Sequence, residues 1–176
     1  KTVEKFHFKP RPVDEKFSAL VFDNFINRVD SYGIYLTKND INNLTKYKST
    51  IGNDILTQNC SFLNQAQQVF KMVLKSVDSL VNSFASLKID LNNVDSLVIN
   101  QGEFVNDKVQ LAERWKKLLK LQMLNYYFAT TDSNELKQKP SIQKLDEIKN
   151  AAIRRELCHI ASMNNYKGGI EAYLAN

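Results

Sequence analysis

Apolar side chains recur at three- and four-residue spacing along most of the chain, the period of a helix with one buried face rather than the strict alternation of a half-buried strand. Phe17, Leu20, Val21, Phe25, Ile26 and Val29 form the first stripe. Asp14 stands where its carboxylate can accept a free N–H of the first turn, and the pattern ends near Gly33. Ahead of it, Pro10 and Pro12 make Phe6 to Pro12 an extended lead-in. Thr37 with Asp40 three residues on is a capping-box-like start to a second helix. Its stripe of Ile41, Leu44, Tyr47, Ile51 and Ile55 runs across Gly52, so the pattern predicts one long helix despite the roughly 1 kcal/mol that an interior glycine costs.

The third stretch carries the strongest periodicity: Phe62, Leu63, Ala66, Val69, Phe70, Val73, Leu74, Val77, Leu80, Val81 and Phe84 share one broad face, which makes this helix central. From Ala85 to Asn106 the period fails, and Asp90, Asn92, Asn93, Asp95, Asn100 and Gly102 interrupt short apolar pieces. This reads as a long irregular excursion packed along the helices, with room for one short strand at Leu97-Val98-Ile99. Asp107, with Gln110 three residues on, opens a fourth helix with Leu111, Trp115, Leu118, Leu119, Gln122 and Tyr126 inward; Tyr126, Tyr127 and Phe128 are expected to seal the end of a core. Thr130 to Pro140 is a polar loop. Ser141 then caps a fifth helix bearing Ile142, Leu145, Ile148, Ala152 and Ile160. Beyond the break at Asn164 to Gly169, Ile170, Tyr173 and Leu174 edge a last short segment that reaches Asn176 without a capping signal, the pattern of a helix that continues.

The expected fold is therefore all-α: one domain of about five to six helices in orthogonal or bundle-like packing, with one irregular excursion. Composition agrees, since 5 glycines and 3 prolines in 176 residues leave little punctuation for short strands. A hydrophobic fraction of 43% with 24% charged residues is that of a folded globular chain. No apolar run is long enough to span a membrane.

The formal charge of +5 and a pI near 9.1 bring nucleic acid or an anionic surface into view as partners. The densest basic group, Arg114, Lys116, Lys117 and Lys120, is broken by Glu113 and Leu118 and reads as a solvated helix face, which makes nucleic acid the less favoured partner. Chemistry is sparse. The sequence has no nucleophile elbow, phosphate loop, dinucleotide fingerprint or HExxH, so neither a catalytic residue, a metal ligand nor a cofactor is assigned, and the binding residues stay open. His7 and His159 lack ligand-like spacing to carboxylates or cysteines, and Cys158 beside His159 points elsewhere on a helix. Cys60 and Cys158 read either as one disulfide or as two buried thiols. Asp14, Asp23, Asp30 and Asp40 could form an acidic site, though caps and surface charges account for them as well. The triplets Asn43-Leu-Thr45 and Asn59-Cys-Ser61 fit the glycosylation pattern by chance in a chain this rich in asparagine.

Two stretches carry a family resemblance. His7-Phe8, then Asp14, Phe17-Ser18, Val21-Phe22-Asp23, Phe25-Ile26 and Asp30, followed by Tyr35-Leu36 and Asp40-Ile41, resembles the opening of the N-terminal helical domain of tail-specific, or carboxy-terminal processing, proteases. Leu111, Arg114-Trp115, Leu118 and Lys120 are similar to an Arg-Trp helix of the same domain, in the expected order. With the helical spacing between them, the resemblance covers nearly the whole chain. It implies residues 1–176 as the N-terminal accessory domain of a periplasmic protease whose PDZ domain and serine and lysine dyad lie elsewhere in the parent, the signal peptide having been removed upstream of Lys1. The implied partners are those other domains, protein substrates, and an adaptor or second protomer. No peptidase activity of its own is expected, and Phe17, Phe22, Leu36 and Trp115 are expected to pack the interior.

Overall fold

The computed structural model describes residues 12–91, 95–133, 135–167 and 169–175. These hold seven α-helices and no strand: α1 (Glu15–Val29), α2 (Lys38–Asn42), α3 (Ile51–Thr57), α4 (Ser61–Ser83), α5 (Lys108–Thr130), α6 (Ile142–Asn164) and α7 (Gly169–Ala175). The all-α class stands, with more and shorter helices than the periodicity implied. The lead-in through residue 11, with His7 and Phe8, lies outside the described residues, as do Asn92 and Asn93 of the excursion. Contacts gather into two compact units, one running to Met72 and including Ile99–Asp107, the other made of Val73–Val98 and Lys108–Asn176.

In the first unit, the Asp14 carboxylate accepts the Phe17 N–H at 2.8 Å to start α1. The helix stops at Val29 rather than near Gly33, because the Asp30 N–H closes on the Ile26 carbonyl at 3.0 Å and its backbone then leaves the helical region. Its buried face is Ser18, Phe22 and Ile26, four residues apart, whereas Leu20 is 50% exposed. The expected stripe is rotated because Ser18, a polar residue, holds an interior position.

The long helix expected from Thr37 to Ile55 is three pieces. Thr37 and Asp40 do form the capping box, each side chain bonded to the other's backbone N–H. But α2 ends at Asn42, a 3-10 turn follows at Thr45–Tyr47, and α3 begins afresh at Ile51. The restart is completed at Gly52. Its N–H, an orphan donor in the first turn of α3, is taken by the Ser18 Oγ of α1 at 2.9 Å, since the cap residue Thr50 offers no side-chain bond. A Cβ built on Gly52 would lie 2.9 Å from both Ser18 Oγ and Val13 Cγ1, so the glycine permits the approach of α1 to α3. The same device recurs one step on, where the buried Asp54 of α3 accepts the Phe62 N–H at the start of α4. Restarting at residue 51 buries Ile51 and turns Ile55 outward, 53% exposed. Phe62 then sits among Phe22, Phe25 and Tyr47, with ring centroids 4.9 to 6.1 Å apart.

In the second unit, residues 73–83 of α4 bury Val73, Leu74, Val77 and Val81, and Phe84 of the following 3-10 turn completes the row. Helices α5 and α6 pack together, burying Leu111, Trp115, Leu119, Met123 and Tyr127 from one and Ile148, Ala152, Ile153, Ile160 and Met163 from the other. Ser141 caps α6 by accepting the Lys144 N–H at 3.2 Å. The expected aromatic seal reduces to Tyr127, because Tyr126 and Phe128 flank it and point away, 37% and 63% exposed. Ile142, the first residue of α6, is 82% exposed. Leu97 to Ile99 forms no strand. Of the four expected packing residues, Phe22, Leu36 and Trp115 are buried and Phe17 is half-buried.

Candidate binding grooves

The first groove lies wholly within the first unit. Helix α1 presents Phe22, Asp23, Ile26 and Asn27 on adjoining positions, α2 brings Lys38, Ile41 and Asn42, and the returning segment adds Gly102 and Phe104. That segment is pinned at both ends: the Gly102 N–H donates to the Ser31 carbonyl and the Lys38 N–H to the Val105 carbonyl, each at 2.8 Å. Gly102 has φ +78, a conformation costly for any residue with a Cβ. The result is an open groove of about 380 Å³ with Phe22, Ile26, Ile41 and Phe104 as its floor and exposed Asp23, Asn27, Lys38 and Asn42 on its rim. It stands near the small end of the range for ligand pockets, roughly 300 to 1,000 Å³, a size suited to an apolar side chain.

The second groove, about 280 Å³, lies between Ser96-Leu97-Val98 and the first turns of α5, at Val109, Gln110, Glu113, Arg114 and Lys117. The segment is held by two lysines of α5. Lys120 Nζ meets Asp95 Oδ2 at 2.7 Å, and Lys117 Nζ donates to the Ser96 carbonyl at 3.1 Å. The hydrogen bond from Lys120, reinforced by its charge, holds the Asp95 carboxyl below the usual carboxylate range. Lys120 is itself buried, which corrects the reading of the whole basic group as a solvated face. Lys116 pairs with Glu113.

The four aspartates that could have made an acidic site each serve a separate local purpose. Asp14 caps α1, Asp23 pairs with Lys48 at 2.7 Å, and Asp40 completes the capping box. Asp30 is buried and gathers three backbone N–H groups, those of Ile34, Tyr35 and Leu36, at 2.7 to 2.9 Å. Cys60 and Cys158 are free and exposed, so neither the disulfide nor the buried-thiol reading holds. His159 is exposed beside Cys158 on α6, and nothing brings the two side chains together on one face. Glu156, on the same helix, is buried, and loss of hydration lifts its pKa against the smaller opposing effects of His159 and Arg155. Among the described residues, no three His, Cys, Asp or Glu side chains cluster as metal ligands, and no helix is long and apolar enough to cross a membrane.

Sequence reasoning did not reach Gly102 and Phe104 of the first groove or Ser96 to Val98 of the second. All lie in the aperiodic excursion, where the only available signal was a glycine isolated between short apolar pieces.

An all-α protein of open, apolar-floored grooves is the class these observations define. The family model described as tail specific protease N-terminal domain matches residues 1–167, and the chain belongs to that family. It is thus a domain of a protease chain. No curated protein matches the sequence. The residues that carried the resemblance now have physical roles: Asp14, Ser18, Asp30 and Asp40 terminate or join helices, and Phe22, Ile26, Leu36 and Trp115 fill interiors.

Proposed function

We propose that this chain is the non-catalytic N-terminal domain, spanning residues 1–176, of a periplasmic carboxy-terminal processing protease, and that it helps to receive unfolded protein substrates. The parent's PDZ domain and serine and lysine dyad perform recognition and cleavage, and an adaptor or a second protomer shares the outer helix faces. The carrying observation is the first groove, where half-buried Ile41 and Phe104 stand over buried Phe22 and Ile26 beneath a polar rim. Such a groove offers a passing polypeptide a place to set down one apolar side chain without holding it tightly.

The test is a titration of the isotopically labelled chain with a reduced, unfolded protein at up to millimolar concentration. Amides of Ile41, Asn42 and Gly102 should shift, and Ile41→Glu should abolish the change. An unchanged spectrum would sink the reading. The coding sequence beyond Asn176 is expected to continue into a PDZ-like segment and then a serine and lysine tens of residues apart.

A further inference from the structure

Asp23 and Lys38 are the two charged residues that line the first groove, and only one of them is answered. Asp23 is paired with Lys48 at 2.7 Å. Lys38, the first residue of α2, is exposed, and among the described residues its ammonium has neither an ion pair nor a hydrogen bond. Its backbone N–H donates to the Val105 carbonyl at 2.8 Å, and a Cβ on Gly102 would lie 3.8 Å from Asn27 Oδ1. Lys38 and Asn27 therefore stand where the returning segment closes the groove. Asp23, already neutralised, lies one turn back along α1, and Asn42 one turn on along α2. The lining thus carries one uncompensated positive charge, placed toward one end.

Neutral polar groups supply the rest. The carboxamides of Asn27 on α1 and Asn42 on α2 are exposed, and among the described residues neither makes a side-chain hydrogen bond. Each can both donate to and accept from a peptide group. Half-buried Ile41 and Phe104 offer apolar surface beside them, in a space of about 380 Å³ that takes one large apolar side chain. Nucleic acid fits this lining poorly, because a single cation is no track for successive phosphates. A polypeptide with a carboxylate near an apolar residue fits it well. A chain end brings one peptide group beside its last side chain, whereas an internal residue brings two, the number that the two carboxamides can meet.

We infer that the first groove selects, within unfolded polypeptides, internal sites where a large apolar residue is flanked by aspartate or glutamate. The apolar side chain rests on Ile41 and Phe104, and the acidic one pairs with Lys38. This rests on the proposal that the groove receives unfolded polypeptide, and adds which stretches it prefers. An exposed ion pair discriminates only about threefold, so the groove remains able to take many sequences.

The probes are short peptides, acetylated and amidated, with a central leucine between two aspartates, two asparagines or two lysines. Each is titrated against the 176-residue chain and read at the amides of Ile41, Asn42 and Gly102. The aspartate peptide should bind about threefold more tightly than the asparagine one, and the lysine one more weakly still. Serine in place of leucine should abolish binding. Lys38→Glu, at an exposed position whose side chain holds nothing in place, should reverse the order of the aspartate and lysine peptides with the circular dichroism unchanged. Equal affinity for the three peptides, or an order that Lys38→Glu leaves as it was, would overturn the acidic preference while leaving the substrate-receiving role intact. Tighter binding of an uncharged peptide that ends in leucine, lost when its carboxylate is amidated, would overturn the internal site in favour of a chain end. Shifts with unfolded protein but with none of the peptides would overturn this inference alone. Silence with both would remove the two readings together.

Discussion

Gly52→Ala sets two effects of opposite sign against each other, and the structure decides between them. In an ordinary helix interior the change stabilises by about 1 kcal/mol, because alanine loses less chain entropy than glycine. At this site the new methyl would sit 2.9 Å from Ser18 Oγ and 2.9 Å from Val13 Cγ1. Ser18 cannot step aside freely, since its hydroxyl donates to the Asp14 carbonyl and accepts the Gly52 N–H, both at 2.9 Å. Overpacking of this kind costs typically 1 to 3 kcal/mol, and loss of the Ser18 bond would strand a buried donor at a further cost of about 1 kcal/mol. The net expectation is a destabilisation of about 1 to 3 kcal/mol, or a fall in Tm of roughly 2 to 12 °C for a chain of this size. Urea denaturation followed by far-ultraviolet circular dichroism reads it. A double-mutant cycle with Ser18→Ala should show coupling, because removing the hydroxyl removes one of the two clashes that the methyl meets. If Gly52→Ala raises the midpoint, or if the two changes add without coupling, α1 and α3 are not in the close contact described.

Asp30→Ala should cost about 3 kcal/mol or more in the same assay, since it leaves the N–H groups of Ile34, Tyr35 and Leu36 without their carboxylate. Gly102→Ala should cost about 1 kcal/mol or more through its left-handed backbone and should displace the amide resonances of Phe104. Glu156 has a folded pKa above its unfolded one, so the folded state binds the proton more tightly and stability is lost as pH rises from the unfolded value toward the folded one. Glu156→Gln should therefore raise Tm most at neutral pH, with the difference from wild type shrinking as pH falls through the folded pKa to the ordinary glutamate range. Asp95 behaves in the opposite sense: its tether to Lys120 is intact at neutral pH and is lost as pH falls through its depressed folded pKa. Lys120→Met should accordingly speed proteolytic nicking near residues 95–98 at neutral pH.

What was legible in the sequence was whatever a local period or a three-residue spacing encodes. The caps at Asp14, Thr37 and Ser141 and the buried row of α4 follow from side chains acting within a turn or two of their own position. The fresh start of α3 was not legible, because its first turn is completed at Gly52 by a hydroxyl 34 residues away. Lys120 likewise reads as one more basic position on a helix face until Asp95, 25 residues earlier, lies over it. The grooves were hidden for a related reason: Phe104 and Leu97 enter from an aperiodic stretch whose placement depends on the long-range bonds of Gly102, Lys38 and Lys117.

The borrowed caps also make successive helices depend on one another. A seven-residue helix such as α3 is far below the length at which a helix holds together alone in water. Its first turn is completed only once Ser18 is in place on α1, and its Asp54 in turn completes the opening of α4. The stretch from residue 51 to residue 62 is then a relay, in which each helix supplies the starting condition of the next. Loss of α1 therefore takes the first-turn bond from α3, and loss of α3 takes the opening bond from α4.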